Sequence, residues 1–290
     1  MITLQERQRL IPYLFLFPAL FFLILTVVWP AFQAFYLSFT NYDLTSAPQW
    51  VGLKNFQRLW GDTVFWQTLR NTLIYLIGVV PILVIAPLGL AILVNQKLRG
   101  MNWFRAAYYT PVVISMVVAG LAWKWLYAET GLFNMLAKFF SLPSIPWLTS
   151  PQWALLSVMV VTIWKGLGYY MVIYLAGLQG IPGDLYEAAA LDGSEGLRQH
   201  WDITIPLMKP YLVLVAVISS ISGMKVFEEV YIMTQGGPLN SSKTLVYYLY
   251  DRSFQDLEIG YACAIALLLF LVILGLSLLQ LIIQNKTNRV

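Results

Sequence analysis

Apolar residues along the chain form six long runs, and short polar segments separate them. A helix needs about 20 predominantly apolar residues to cross the hydrocarbon core of a bilayer. Continuous runs of this length favour helices over the alternating strands of a barrel. We therefore predict an all-α polytopic membrane protein with six transmembrane helices in a single transmembrane domain over residues 1–290. The spans are expected at about residues 11–39, 71–95, 105–126, 152–177, 210–233 and 260–284.

Composition supports this prediction and excludes several kinds of site. Hydrophobic residues make up 59% of the chain and charged residues 11%, whereas a soluble domain has about 25% charged residues. The net charge of +4 comes without a basic patch, so nucleic-acid binding has no support. With Cys263 and His200 as its only cysteine and histidine, the chain has neither an internal disulfide nor a His/Cys metal cluster, and we expect no bound metal.

The distribution of basic residues predicts the orientation in the membrane. With the N-terminus inside, nine of the 18 basic residues fall on the inner side, mostly in the shorter loops, and six fall outside. The inner nine include Arg7, Arg9, Lys97, Lys286 and Arg289. Because cytoplasmic loops carry an excess of Lys and Arg, both termini are expected in the cytoplasm.

A polar segment at residues 181–206 interrupts the apolar pattern between the fourth and fifth spans. Asp184 is expected to cap a first short helix, with Glu187 reaching back to the amide of the cap. Gly193 is expected to end this helix, at a position where a left-handed backbone is favoured. Because its alanine-rich face has small side chains, this helix is suited to close approach by another protein.

A second short helix is expected after the first. Ser194 can cap it, it would run toward Asp202, and Pro206 and Pro210 would end it before the fifth span. The segment would then be a compact helix-turn-helix on the inner face of the membrane. On spacing alone, it could equally be a capped surface helix that merely connects two spans.

Several residues at fixed offsets in this segment resemble a known motif. They are Glu187-Ala188-Ala189, Gly193, Ile203 and Ile205-Pro206. The pattern resembles the EAA loop in the membrane subunits of binding-protein-dependent ABC importers, with Ile205 where Leu is usual. The offsets and the place of the loop between late spans make the match specific.

The rest of the chain is similar to the carbohydrate-type permeases of that family, which resemble the maltose and glycerol-phosphate permeases. The similarity covers three further segments: Trp123-Lys124-Trp125 with Gly131 and Asn134, Leu178 to Pro182, and Gly236-Gly237-Pro238. It implies the type I ABC importer permease (MetI-like) fold. It also implies a function, which is to form the path of a sugar or sugar-like solute in a bacterial inner membrane.

The resemblance further implies a set of partners. A second homologous permease, which in this family is usually a different one, would pair with this chain. A cytoplasmic ATPase dimer would bind ATP-Mg and contact the EAA loop, and an extracytoplasmic solute-binding protein would deliver the solute. The residues expected to couple the chain to the ATPase are Glu187, Ala188, Ala189, Gly193, Ile203 and Pro206. The nearest match to a phosphate-binding loop, Gly236 to Thr244, has Ser242 before its lysine, so no cofactor is expected on this chain.

Ionisable residues inside the spans are candidates for the solute path, because burying a charge in a bilayer is costly. Sugars are bound by polar groups together with aromatic faces, and the fourth and fifth spans carry this mixture. The residues expected on the path are Trp164, Lys165, Gly168, Tyr169, Tyr170, Ser222, Lys225, Glu228 and Glu229. The alternative is structural: Lys225 could pair with either glutamate within one helix.

Two other classes of function remain as alternatives. An ion-coupled secondary transporter could use Glu228 or Glu229 as its proton or cation site, although the EAA-like loop argues against it. An intramembrane enzyme has little support, because Cys263 has neither a histidine nor a carboxylate nearby in sequence. We therefore expect a transport subunit that is not itself an enzyme.

Overall fold

The structure of the protein is a computed structural model that describes residues 4–96 and 98–287, with side chains at 13, 15–96 and 98–282. These residues form an all-α fold, and no strand occurs among them. One isolated antiparallel bridge joins Thr40 to Trp50.

The basic residues that carry much of the orientation argument lie outside the described side chains. They are Arg7, Arg9, Lys97, Lys286 and Arg289. The cytoplasmic placement of both termini therefore stays a prediction.

Packing of the backbone divides the chain into two compact units. The first comprises Met1–Asp62 and Leu249–Phe270, and the second comprises Thr63–Tyr248 and Leu271–Val290. The expectation of one domain stays a prediction, and the two units are described in turn.

The first unit contains the first predicted span. Its helices are α1 (Leu4–Leu23), a π-helical turn (Ile24–Val28), α2 (Trp29–Leu37) and α3 (Lys54–Gly61), followed later in the chain by a second π-helical turn (Asp251–Gln255) and the start of the last helix (Ile259–Thr287). The part Phe15–Leu37 is long and apolar enough to cross a membrane. Arg58 binds the carboxylate of Glu258 through two hydrogen bonds of 2.9 Å each. This pair joins α3 to the start of the last helix.

The second unit contains the remaining helices. They are α4 (Thr63–Val94), α5 (Met101–Val113), α6 (Met116–Tyr127), α7 (Leu132–Phe139), α8 (Ala154–Gln179), α9 (Gly183–Leu191), α10 (Leu197–Gln199), a π-helical turn (His200–Thr204), α11 (Ile205–Met224), α12 (Glu228–Met233), α13 (Leu245–Tyr250), which ends just beyond the unit, and the end of α14 (Ile259–Thr287). Helices α4, α8 and α11 supply its most deeply buried side chains, among them Tyr75, Val158, Tyr174, Met208 and Val215.

Helix α4 begins at Thr63, earlier than the predicted span at 71, and loop contacts accompany the added turns and the start of the predicted span. In the added turns, the side-chain amide of Gln67 donates a hydrogen bond of 3.0 Å to the carbonyl oxygen of Leu239. Asn71 donates hydrogen bonds to the carbonyl oxygens of Asn240 (2.8 Å) and Lys243 (2.9 Å). The hydroxyl of Thr72 accepts a hydrogen bond of 2.9 Å from the backbone amide of Leu245. The helix therefore extends into the loop region that contacts it.

The third predicted span, 105–126, is not one helix. Helix α5 and the segment Met116–Phe139, which begins with α6, meet at a bend of 98°. The break lies at Ile114 and Ser115, and the hydroxyl oxygen of Ser115 caps α6 by accepting a hydrogen bond of 3.4 Å from the Val118 amide. Five described helical segments are long and apolar enough to span a membrane, and the bent pair gives up to six.

The fifth predicted span, 210–233, has different ends in the structure. The helical run extends from Leu197 to Met224, so Pro206 and Pro210 do not separate a short helix from the span. Pro206 directly follows the π-helical turn. In such a turn the backbone amide bonds to the carbonyl five residues earlier in place of the carbonyl four residues earlier. The helix can therefore continue past a proline that lacks the amide hydrogen. After Met224 the chain leaves the helix and resumes as α12 at Glu228.

Candidate functional site

A cavity of about 510 Å³ lies in the second unit, bordered by α4, α5, α8, α11 and α12. Seven of the nine residues predicted for the solute path line it: Lys165, Tyr169, Tyr170, Ser222, Lys225, Glu228 and Glu229. Tyr170 is buried, whereas Tyr169, Ser222, Lys225 and Glu228 are exposed. The structure thus brings most of the predicted set to one cavity, and their role in transport stays a prediction.

The other two residues of the set lie outside the cavity lining. Trp164 packs edge-to-face on Trp123 of α6, with ring centroids 5.4 Å apart. Gly168 is buried, and a Cβ atom added there would lie 2.1 Å from the carbonyl oxygen of Tyr108 in α5. Both residues hold helices together, and Gly168 allows α5 and α8 to approach each other closely.

Both helix breaks border this cavity. Val112, close to the end of α5, lines it, and so does the non-helical segment 225–227. Non-helical backbone at membrane depth is tolerated only where it is buried in protein or lines a water-filled cavity. The position of the breaks therefore favours an aqueous cavity.

Lys165 has a structural contact that the sequence did not indicate. Its ammonium group donates hydrogen bonds to the carbonyl oxygens of Ile114 and of Pro111, the latter at 3.3 Å. These carbonyls lie at the C-terminal end of α5, where a helix leaves acceptors unsatisfied and favours positive charge. Lys165 therefore caps the broken third span from α8.

The structural alternative, in which Lys225 pairs with Glu228 or Glu229 along one helix, is contradicted by the structure. The helix ends at Met224, and no ion pair joins Lys225 to either glutamate among the described residues. The spacing of four residues requires a continuous helix, and the break at 225–227 removes it. With Lys165, the cavity lining carries two positive and two negative side chains.

Tyr75 is a cavity residue that the sequence analysis missed. Its hydroxyl donates a hydrogen bond of 2.7 Å to Thr162 of α8, and both residues line the cavity. It lies in an apolar span without a neighbouring charge. The spacing of four residues between Tyr75, Val79 and Leu83 places them on one face of α4, and this pattern could have indicated that they share a surface.

The loop at 181–206 contains the expected first helix, with a different start. Pro182 precedes the first helical residue, Gly183, and no side chain caps the helix, so the expected capping box of Asp184 and Glu187 is wrong. Asp184 lies instead in the first turn, where a negative charge is favourable. Pro182 occupies the cap position, so the helix starts two residues earlier than expected.

The end of α9 is as predicted. Gly193 has a positive φ of 81°. The amide of Gly193 bonds to the carbonyl of Ala190 (3.0 Å) and the amide of Ser194 to the carbonyl of Ala189 (2.8 Å). This pair of bonds is the Schellman motif, which favours glycine at the left-handed position.

Ser194 does not cap the second helix. Its hydroxyl donates a hydrogen bond of 2.6 Å to the carboxylate of Asp202, and Gly196 precedes α10. The second helix continues through the π-helical turn into the fifth span. The loop is therefore one separate helix followed by the first turns of a long one.

The residues of the EAA-like pattern divide by exposure. Glu187, Ala188, Gly193 and Pro206 are exposed, Ile203 is half-buried and Ala189 is buried. Within the described residues, the Glu187 carboxylate has no hydrogen bond or ion pair. Four of the six residues are thus available to another molecule.

Comparison with known proteins decides the family. Residues 56–289 match the family described as "Binding-protein-dependent transport system inner membrane component". The chain belongs to this family. This permease is therefore a multi-span inner-membrane subunit of an ABC importer, and the family is one of transport subunits rather than enzymes.

Curated relatives cover nearly the whole permease. It is 38% identical to the probable ABC transporter permease protein YurN of Bacillus subtilis over 95% of this chain and 96% of the relative. It is 34% identical to the sulfoquinovosyl glycerol permease SmoG of Agrobacterium fabrum (92% and 88% covered) and to the lactose permease LacF of Rhizobium radiobacter (92% and 92%). The ion-coupled alternative is not favoured by these relatives.

The fold of the permease matches a solved structure. A chain of a bacterial alginate ABC transporter, crystallised in complex with an alginate pentasaccharide-bound periplasmic protein, superposes with a TM-score of 0.84. The sequence identity is 23%, and the match covers 95% of this chain and 94% of the other. This likeness establishes the type I importer permease fold.

Proposed function

We propose that this permease carries a neutral, hydroxyl-rich solute of the sugar class through the cavity and receives its driving force at the loop 181–206. The observation that carries the proposal is the helical run Leu197–Met224. It begins in the loop and ends at the cavity, where Ser222 and Lys225 line the wall. This helical run thus links the loop surface, where we place the ATPase, with the cavity, where we place the solute.

The cavity lining supports a neutral polar solute. Two lysines and two glutamates balance in charge, and Lys165 already bonds to backbone carbonyls. Hydroxyl, carboxylate and ammonium groups next to the rings of Tyr169 and Tyr170 can bind sugar hydroxyls and C–H faces. Curated relatives of this chain are named for sugar-containing solutes. All nine predicted residues remain our candidates, with Trp164 and Gly168 acting through packing.

A test of the solute path compares two exposed tyrosines. Tyr169→Ala removes a cavity ring, whereas Tyr109→Ala removes a ring of similar exposure outside the cavity lining. We expect the first variant to change the KM for uptake, or the preference within a panel of neutral sugars and polyols, and the second to change neither. Wild-type uptake and preference in Tyr169→Ala would assign the solute contacts to the partner permease.

The loop supports docking of a cytoplasmic ATPase dimer that binds ATP-Mg. Three large apolar side chains on the loop are exposed: Leu191 (90%), Leu197 (81%) and Trp201 (69%). Grouped exposed apolar residues mark interaction sites, and the unpaired carboxylate of Glu187 lies on the same loop. In our proposal Glu187, Ala188, Gly193 and Pro206 contact the ATPase, and Ala189 and Ile203 hold the loop in shape.

Charge reversal tests this docking. Glu187→Lys lies within the pattern, and Glu195→Lys is a matched control, since Glu195 is also exposed on the loop. We expect Glu187→Lys to lower ATPase association and uptake together, while Glu195→Lys keeps both. Wild-type values of both in Glu187→Lys would remove the loop from the mechanism.

The proposal completes the assembly with a second, different permease and an extracytoplasmic binding protein, with both termini of this chain in the cytoplasm. Native mass spectrometry of the co-purified transporter gives its composition. Two copies of this chain in one complex would contradict the heterodimer, and protease cleavage of a terminal tag from outside intact cells would contradict the orientation.

A further inference from the structure

The loop helix α9 is joined to the chain by segments that do not fix its position. On one side lie Gly180 and Pro182, and on the other lie Gly193 and Gly196, both with positive φ, at 81° and 60°. A Cβ added at Gly193 or Gly196 would meet nothing within 4 Å. The turn between α9 and α10 is therefore open at its glycines, and its contact with the fifth-span helix is the hydrogen bond of 2.6 Å from Ser194 to Asp202.

Side-chain hydrogen bonds also hold α9 itself. The hydroxyl of Tyr186, in the middle of α9, lies 3.0 Å from the hydroxyl of Thr204. The side-chain amide of Gln199 donates a bond of 2.6 Å to the backbone carbonyl of Tyr186. Tyr186 is thus bound at both its side chain and its backbone to the first turns of the helical run that begins at Leu197.

Thr204 is the centre of this arrangement. It is fully buried, and its hydroxyl also lies 3.0 Å from Nδ1 of His200. Both residues belong to the π-helical turn. Such turns occur frequently at functional sites. The hydroxyl of Thr204 therefore connects α9 to the point where the loop becomes the fifth-span helix.

Space adjoins this contact on one side. A cavity of about 230 Å³ borders Tyr186, Gln199, His200 and Thr204 on the side of α4. On that side the hydrogen bonds of Tyr186 are direct links by which a displacement of α9 reaches the long helix. The helical run has 28 residues, which at 1.5 Å per residue is about 42 Å, and its far end lies at the solute cavity.

We propose that Tyr186 and Thr204 form a transmission joint, a pair of positioning residues that makes α9 and the fifth-span helix move together when the ATPase changes state. This inference rests on the proposed function of the loop. In this proposal the two hydroxyl groups determine how efficiently ATP hydrolysis is coupled to transport. They take no part in docking, because Thr204 is buried and the Tyr186 hydroxyl points to it.

The experiment uses the assembled transporter in proteoliposomes with its binding protein and ATPase. Tyr186→Phe and Thr204→Val each remove one side of the hydroxyl contact with little change of shape. The matched control is Tyr211→Phe on α11, because the Tyr211 hydroxyl has no hydrogen bond within the described part of the chain and its ring packs on Gly177. Solute transported per ATP hydrolysed and association with the ATPase are measured together.

We expect each single variant to lower the solute transported per ATP about two- to tenfold, the range of one neutral hydrogen bond, with ATPase association unchanged. The double variant should be no worse than Thr204→Val alone, because Thr204→Val already removes the contact with Tyr186 together with the contact with His200. A wild-type ratio in Tyr186→Phe, or losses that multiply in the double variant, would overturn the joint.

The failure of the joint and the failure of the proposed function are distinguishable. Loss of ATPase association in Tyr186→Phe would overturn the joint and leave the docking loop intact as a proposal. If Glu187→Lys also keeps wild-type association and uptake, the docking role of the loop fails, and the joint fails with it.

Discussion

Replacing Lys165 tests whether this residue supports the broken third span or binds the solute. Its ammonium donates hydrogen bonds to the carbonyls of Pro111 and Ile114 at the end of α5. Lys165→Met keeps the length and apolar stem of the side chain and removes the charge and the donors. Both carbonyls would then lose their side-chain partner beside a cavity.

The magnitude is taken from the shorter contact, to Ile114, and from the helix end, because the contact to Pro111 at 3.3 Å is weak. A hydrogen bond to a charged group contributes about 1.5–3 kcal/mol, and a cation at a helix C-terminus adds about 0.3–1 kcal/mol. Lys165 is half-buried, and water can reach the freed carbonyls, so the lower end applies. We expect a loss of about 2 kcal/mol, which changes the ratio of folded to unfolded protein by up to about thirtyfold.

Lys225 provides the matched control. It lines the same cavity and is exposed, and its ammonium group has no hydrogen bond or ion pair among the described side chains. Lys225→Met should therefore leave the thermal unfolding of the purified transporter in detergent unchanged, whereas Lys165→Met should lower its midpoint. Lys165→Arg, which retains charge and donors, should recover at least half of the loss.

The kinetic readout separates the two roles. A capping lysine loses stability and maximal uptake rate on substitution, with little change of KM. A solute ligand raises KM at unchanged stability. Lys165→Met with wild-type unfolding and a raised KM would refute the capping argument and return Lys165 to the solute contacts.

Three further predictions follow from packing and polar contacts and are tested on the purified transporter. Gly168→Ala places a Cβ against the backbone of α5 and should lower the stability of the folded protein by about 1–3 kcal/mol. Gly89→Ala, whose new Cβ would meet nothing within 4 Å, should be neutral or stabilising. Equal thermal unfolding midpoints for the two variants would refute the close approach of α5 and α8. Asn71→Ala removes two hydrogen bonds to loop carbonyls and should lower the midpoint by about 1–3 kcal/mol of stability; an unchanged midpoint would contradict this. Hydrogen bonds from the hydroxyl and the backbone amide of Ser46 lower the pKa of Asp43 from 3.8 to about 2. The turn is therefore stabilised above pH about 4 and loosens as the pH falls through about 2. Hydrogen exchange of the Thr45 and Ser46 amides, compared with their intrinsic rates, measures this loosening.

Local sequence rules were sufficient where neighbouring residues alone decide the structure. The apolar runs predicted an all-α membrane fold, and Gly193 was expected to end α9 with a left-handed backbone, as it does. The predicted cap of the same helix was wrong by two residues, because the helix begins at Gly183 and Asp184 falls in its first turn, where a negative charge is also favourable. Such an error shifts a boundary and leaves the element in place.

Rules based on local composition failed where a distant residue satisfies the backbone. Residues 105–126 are charged only near their ends, at Arg105 and Lys124, so their hydropathy does not mark a break at Ile114 and Ser115. The group that stabilises the broken end is Lys165, about 50 positions later in the chain. Conversely, Pro206 and Pro210 have strong local preferences to end a helix, yet the helical run continues through both, since the π-helical turn precedes the first of them.

The two helix breaks and the cavity depend on each other, because non-helical backbone inside a membrane needs polar surroundings. A break at membrane depth exposes carbonyl and amide groups that lipid cannot satisfy, at a cost of several kcal/mol for each unsatisfied group. Breaks in α5–α6 and in α11–α12 are therefore tolerated beside a polar cavity or beside a charged side chain. Lys165 bonds to the carbonyls at the first break, and residues 225–227 at the second break line the cavity. Lys165, which we predicted as a solute ligand, thus has a structural role as well, because it satisfies backbone carbonyls at the end of α5. In our proposal a solute in this cavity meets polar groups that are already held in place, so the helix breaks, more than the charges themselves, guide our placement of the path.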